Sequence, residues 1–123
     1  MADSLNYTVN IQRTDANNAI RNQADASASL SLPDNYVGDT TVPVANNEVD
    51  KPVALLHAFM DFFYITADKA ITVKFGSVTG TPFTLRSGGV MVVDGSNITA
   101  LYLSNTSGST AVVRIIQALR QDV

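Results

Sequence analysis

The one histidine of the chain, His57, lies near Glu48, Asp50 and Asp61 in the sequence. A metal centre on a small β scaffold draws two or three His together with a carboxylate, so a lone imidazole with these neighbours does not supply the donor set. The same count limits nucleophilic catalysis. His57 would have to serve as base to any serine, no Gly-x-Ser-x-Gly elbow occurs, and "SGG" at 87–89 is a turn signal. Paired carboxylates for glycoside hydrolysis would come from Glu48, Asp50, Asp61, Asp68 and Asp94, of which Asp68 and Asp94 fall in expected turns. "DGSN" at 94–97 opens like a calcium loop but lacks the further spaced Asp, Asn and Glu ligands, so a hairpin corner is expected there. Gly76, Gly80, Gly88 and Gly89 separate strands and form no phosphate-cradling pattern. Tyr7, Tyr36, Tyr64 and Tyr102 could stack on sugars, but at alternating strand positions they are expected to serve sheet packing. The chain has no cysteine, which removes thiolate catalysis, disulfides and Cys-based zinc sites. The reading is of a non-enzymatic protein without metal or cofactor, with His57 at a core edge or an interface.

Composition points away from other ligand classes. Charged residues make up 15% of the chain, against roughly 25% in ordinary soluble domains. A neutral surface rich in Asn, Ser and Thr packs against protein at low desolvation cost. The net charge is −3 and the eight basic residues are scattered, so a nucleic-acid partner is not expected. The opening "MADSLNYTVN" has neither a basic region nor an apolar run, and "PVALLHAFMDFFYI" is too short and too interrupted to span a membrane. The expectation is a soluble protein made in the cytoplasm, with no membrane partner. That bears on Asn6, Asn97 and Asn105, which match the N-x-[ST] glycan pattern. Without a secretory signal they are expected to be turn and strand residues, Asn105 at the corner of the last hairpin.

The elements that would position these groups are strands. Leu5, Tyr7, Val9 and Ile11 alternate with Asn6, Thr8, Asn10 and Gln12, the pattern of a half-buried strand. "ADASASLSLP" alternates again and ends at Pro33. Turn-formers dominate from there to Pro52, and "TTVPVANN" is at most a short edge strand because Pro43 cannot donate to a ladder. "VALLHAFMDFFY" permits a helix, but two strands are preferred. A corner over 67–70 leads to the alternation of Ile71, Val73 and Phe75. "FTLR" and "VMVV" follow, the latter ended by Asp94 and Gly95. "ITALYLS" and "TAVVRIIQALR" close the chain, joined by "NTSGS". Eight or nine short strands without a helix give an all-β, two-sheet β-sandwich, with a jelly roll the best fit and an immunoglobulin-like sandwich second. The chain reads as one domain, with residues 1–50 an N-terminal strand and extended arm and residues 51–123 the sandwich body.

Two features point to assembly. In "AVVRIIQAL" Val113, Ile115 and Leu119 lie on one face, while Val112, Ile116 and Ala118 lie on the other. Both faces are largely apolar, so the second is covered either by the N-terminal segment or by another subunit. The arm is the other feature. Ordering some thirty residues costs tens of kcal/mol at roughly 1 to 2 kcal/mol each, and at about 25 cal/mol per Å² that asks for over a thousand Å² of apolar contact. Ala, Ser and Asn offer little, so the arm is expected to be mobile alone or laid along a partner as an added strand.

In the pattern of residues 51–121, with "AFMDFFYITADKAITVKFGS", "ITALYLSN" and "VVRIIQA", the chain resembles the jelly-roll capsid decoration, or cement, proteins of tailed bacteriophages. The resemblance implies a protein on the outer capsid surface of a virion that clamps neighbouring major capsid subunits, and a homo-oligomer, dimer or trimer. It assigns gripping to the arm through Leu5, Tyr7, Val9, Ile11 and Arg13, with Tyr102, Val112 and Ile116 facing another subunit. A tail or baseplate component that binds carbohydrate is the alternative.

Overall fold

In the computed structural model the backbone is described for residues 3–14, 17, 20–32 and 37–119, and side chains for 5–9, 17, 37–95 and 97–119. These residues form ten strands and no helix: β1 (Asp3–Thr14), β2 (Ile20–Leu32), β3 (Val37–Val44), β4 (Glu48–Pro52), β5 (Met60–Ala67), β6 (Ile71–Phe75), β7 (Phe83–Leu85), β8 (Val90–Ile98), β9 (Leu101–Asn105) and β10 (Ala111–Ala118). Eight build two four-stranded sheets, ordered β3-β10-β5-β8 and β4-β9-β6-β7. Every ladder is antiparallel. Apart from the β6–β7 step, each connection from β3 onward crosses to the opposite sheet. That winding makes a jelly roll and excludes the immunoglobulin-like order. β1 and β2 form a separate two-stranded ribbon.

The core lies between the sheets. Met60, Phe63 and Ile65 of β5, Val113 and Ile115 of β10, and Ile71, Val73, Leu101 and Leu103 from the other sheet are buried together. Apart from Met60, which precedes a register shift in β5, their period of two matches the pleat, so each strand turns one row inward. A side chain of this size contributes about 1.5 to 3 kcal/mol when fully buried.

Four local expectations are corrected. Residues 37–52, read as part of the arm, supply β3 and β4, the edge strands of the two sheets, so the arm reduces to the β1–β2 ribbon. Pro43 is accommodated because β3 has a single partner, β10. Within the ribbon β1 pairs with β2 along one edge. Residues 53–59 are neither strand nor helix. Their backbone is held by the buried Gln117, whose Oε1 accepts from Leu56 N at 3.1 Å and whose Nε2 donates to Ala54 O at 3.2 Å. Asp94 and Gly95 do not end a strand. β8 runs on to Ile98 through a bulge, with Gly95 at φ 87, a conformation that glycine adopts without strain.

The fourth correction concerns Asn105. β9 and β10 belong to different sheets, so the segment between them is an inter-sheet corner and not a hairpin. Asn105 is wholly buried. Its Nδ2 donates to Val44 O at 2.8 Å and Ser109 O at 2.7 Å, and its Oδ1 accepts from Ser107 N at 2.9 Å. An amide nitrogen committed in this way is no glycan acceptor. It ties β3, β9 and the corner to one point.

Candidate functional site

The residues considered for chemistry are spread over the fold and mostly hold it together. Glu48 Oε1 accepts from Ala45 N, closing the β3–β4 turn. Asp50 sits in a β4 bulge at φ 51 and pairs with Lys74 Nζ at 3.0 Å. Asp68 Oδ1 accepts from Val112 N at 2.7 Å, and Ser87 Oγ donates to Asp68 O at 2.7 Å, so the "SGG" serine pins a corner. His57 is half-buried in the 53–59 segment, and Asp61 is half-buried at the start of β5. Among the described residues no group of three His, Cys, Asp or Glu is placed to hold a metal, and no buried side-chain nitrogen or oxygen lacks a partner. Of the tyrosines, Tyr36 lies outside the described residues. Tyr7 and Tyr64 sit against one sheet and Tyr102 belongs to the other.

The two outer faces of the sandwich differ in kind. On β4-β9-β6-β7 the outward positions carry Tyr102, Ser104, Thr72, Lys74 and Thr84. Lys74 there bridges Asp50 and Val78 O. This face is polar and internally paired. On β3-β10-β5-β8 the register lines up outward rows: Val112 beside Pro43; Arg114 between Thr41 and Thr66, then Val90; Ile116 between Asp39 and Tyr64, then Val92; Ala118 between Val37 and Phe62, then Asp94. This face is largely apolar.

The ribbon covers the last of these rows. Leu5 and Tyr7 pack on Phe62 and Ala118, with Val37 and Tyr64 alongside. The Tyr7 and Phe62 rings lie 5.4 Å apart at 37°, and Tyr7 Oη donates to Asp94 Oδ2 at 2.6 Å. The remaining rows stay open: Val90, Val92 and Val112 are 58, 38 and 46% exposed. A shallow groove of about 410 Å³ runs along Thr41, Thr66, Ala67, Asp68, Val112 and Arg114. The only ionic group in the open rows is a pair, Arg114 donating to Asp39 at 3.2 and 2.7 Å. Those hydrogen bonds hold the Asp39 carboxyl below its ordinary range and raise the guanidinium above its own.

Of the expected interface residues, the structure brings Leu5, Tyr7, Val112 and Ile116 to one side of the molecule. Val9 follows on the same face of β1, half-buried. Tyr102 is on the opposite sheet and is not brought to them. Ile11 and Arg13 lie in β1, but their side chains fall outside the described residues. Sequence reasoning missed Phe62, Tyr64, Val90 and Val92. The adjacent Phe62 and Phe63 carry a signal for the first two, since neighbouring strand residues face opposite ways and a double aromatic needs two apolar environments. The unbroken "VMVV" run carries the same signal for β8.

No protein-family model matches this sequence, and no curated protein matches it in a sequence search. Among solved structures, the chain is similar to the cupin domain of Schizosaccharomyces pombe Cnp3, at 13% identity over 91% of this chain and 83% of that one, with a TM-score of 0.50. The likeness is one of fold. It fits the two-sheet winding of β3 to β10 and carries no residue of the cupin's function across. The barrel interior here is filled by Phe63, Met60, Ile65 and Leu103, so the face outside the barrel is the candidate site.

Proposed function

We propose that this chain is a non-enzymatic structural protein of a virion, a capsid decoration or cement protein. It sits on the outer surface of a tailed-bacteriophage shell and clamps neighbouring major capsid subunits, with no cofactor. The observation that carries this reading is the contrast between the two outer faces, one polar and self-paired, the other apolar and only partly covered by the ribbon. The likeness of residues 51–121 to decoration proteins supports the finer statement.

Magnitudes favour a two-part grip. A strand position on a sheet face occupies about 33 Å², from a strand spacing of ~4.8 Å and ~6.8 Å per two residues. The six apolar or aromatic positions in the first three rows, Pro43, Val112, Val90, Ile116, Tyr64 and Val92, then offer about 200 Å², or about 5 kcal/mol at 25 cal/mol per Å². Association costs about 4 to 15 kcal/mol, so the face alone is marginal. The ribbon supplies the rest. An isolated two-stranded ribbon is marginally stable in water, and β1–β2, roughly 40 Å long at ~3.4 Å per residue, gains most from lying along a neighbouring subunit.

Co-sedimentation with expanded shells of the encoding phage tests the reading. The full chain is expected to pellet saturably with shells, and a chain lacking residues 1–32 is expected to stay in the supernatant while keeping its β-sheet circular dichroism. Failure of the full chain to pellet rejects the proposal.

A further inference from the structure

The four edges of the two sheets are not alike. A sheet edge presents unpaired N–H and C=O groups, and stable monomers blunt it with proline, lysine, a bulge or shortness. β3 carries Pro43, and β4 carries Lys51, Pro52 and a bulge. β7 is three residues long. β8 has none of these devices over 90–94, where it pairs one-to-one with β5 before the bulge begins. It has no other strand beside it among the described residues. Its sequence there is Val-Met-Val-Val up to Asp94, with Val90 and Val92 exposed outward and Met91 and Val93 turned to the core.

We infer that β8 pairs antiparallel with β8 of a second copy, about a two-fold axis through Met91, so that two four-stranded sheets join into one of eight. The register follows from parity. Opposed residues in an antiparallel ladder point to the same side, so outward Val90 and Val92 must meet outward residues and inward Met91 an inward one. An axis at Met91 sets Val90 of one copy against Val92 of the other and Met91 against itself. An axis at Val92 would set Val90 against Asp94, a carboxylate already engaged by Tyr7. A second copy is the fitting occupant because the strand is uncharged from 90 to 93 and self-complementary in this register. Among the described edges of the two sandwich sheets each copy has one that is unblunted, and a two-fold contact uses it once, so this pairing closes at two. The open rows at Tyr64, Ile116 and Val112 stay uncovered on the same side of both copies. This pairing does not rest on the capsid reading.

The test is sedimentation equilibrium of the full chain and of the double variant Val90→Lys/Val92→Lys, with circular dichroism to check the fold. The expected results are twice the monomer mass for the full chain and a dissociation constant raised at least ~100-fold in the variant, since like charges would face each other across the ladder. A cysteine trap is independent of that variant's folding. The chain has no other cysteine, and paired strands hold opposed Cα atoms about 4.5 to 5.5 Å apart, within disulfide reach. Met91→Cys is expected to give a disulfide-linked dimer on mild oxidation, and Val112→Cys to remain uncrosslinked. A monomeric full chain, a trimer or larger species, a dimer indifferent to the lysines, or crosslinking at Val112 instead of Met91 overturns the inference. A monomer that binds shells removes the dimer and leaves the capsid proposal standing; a dimer that ignores shells does the reverse.

Discussion

Replacing Asn105 by alanine removes one side chain and strands three backbone groups. Ser107 N and Ser109 O lie in an exposed corner, where water takes over from the amide at small cost. Val44 O is different, because Val44 is fully buried and water does not follow the substitution there. A buried polar group left without its partner costs about 1 to 3 kcal/mol, and each water-replaced bond about 0.5 kcal/mol, for a total of about 2 to 4 kcal/mol. Against the 5 to 15 kcal/mol typical of a domain, that is a large fraction. With a urea m-value of about 2 kcal/mol/M, the unfolding midpoint is expected to fall by about 1 to 2 M with m unchanged. Thr106→Ala, one residue on and exposed, is the control and is expected to shift by less than about 0.3 M. Asn105→Asp is expected to be worse than alanine at neutral pH, because a carboxylate would face two carbonyls. Burial raises the pKa of that new carboxyl, so part of the loss is recovered as pH falls and a donor returns. An Asn105→Ala midpoint no lower than that of Thr106→Ala would refute the buried-corner reasoning.

Three further outcomes follow from the same contacts. Gln117→Leu keeps the bulk but leaves Leu56 N and Ala54 O, both on exposed residues, to water, so a loss of about 1 kcal/mol and faster hydrogen exchange at the Leu56 amide are expected. Tyr7→Phe retains the ring contact with Phe62 and removes the bond to Asp94. Ribbon docking is expected to weaken by about 1.5 kcal/mol, read as roughly tenfold faster limited proteolysis of residues 1–32 with the body intact. The Asp39 carboxyl, held low by the Arg114 hydrogen bonds, contributes stability above its unfolded-state pKa that is lost as pH falls through its lowered folded value. In an NMR titration Arg114→Gln should return it to the ordinary aspartate range, and because the pair is exposed, high salt should erase most of its effect.

Alternation made most of the fold legible. Leu5, Tyr7 and Val9, then Ile71 and Val73, then Val113 and Ile115, show the two-residue period because each strand has one wet face and one buried face. The winding of the sheets was not legible, since a corner such as 67–70 looks the same whether the chain returns within a sheet or crosses to the other. For that reason Asn105 read as a hairpin residue when it is an inter-sheet tie. Residues 53–59 misled because their apolar side chains suggest a ladder while the backbone of Ala54 and Leu56 is satisfied by Gln117, 63 and 61 residues away in the sequence. The candidate face was half legible. The double-sided apolar character of β10 offered two explanations, cover by the N-terminal segment or by another subunit. The ribbon covers the row at Ala118 and Phe62 and leaves Val112 open. Tyr102 could not be separated from Val112 by sequence, because strand parity says which face of a sheet a residue takes but not which sheet.

Under the proposed function one face of the sandwich meets the shell and the other does not, and two tyrosines report on them separately. Tyr64 stands on the apolar face and Tyr102 on the polar one, both half-buried in the free chain. Hydroxyl-radical footprinting of the full chain, free and shell-bound, reads their accessibility in one experiment. Tyr64 is expected to become protected on binding while Tyr102 reacts as before; protection of Tyr102 with Tyr64 unchanged would refute the proposed assignment of faces.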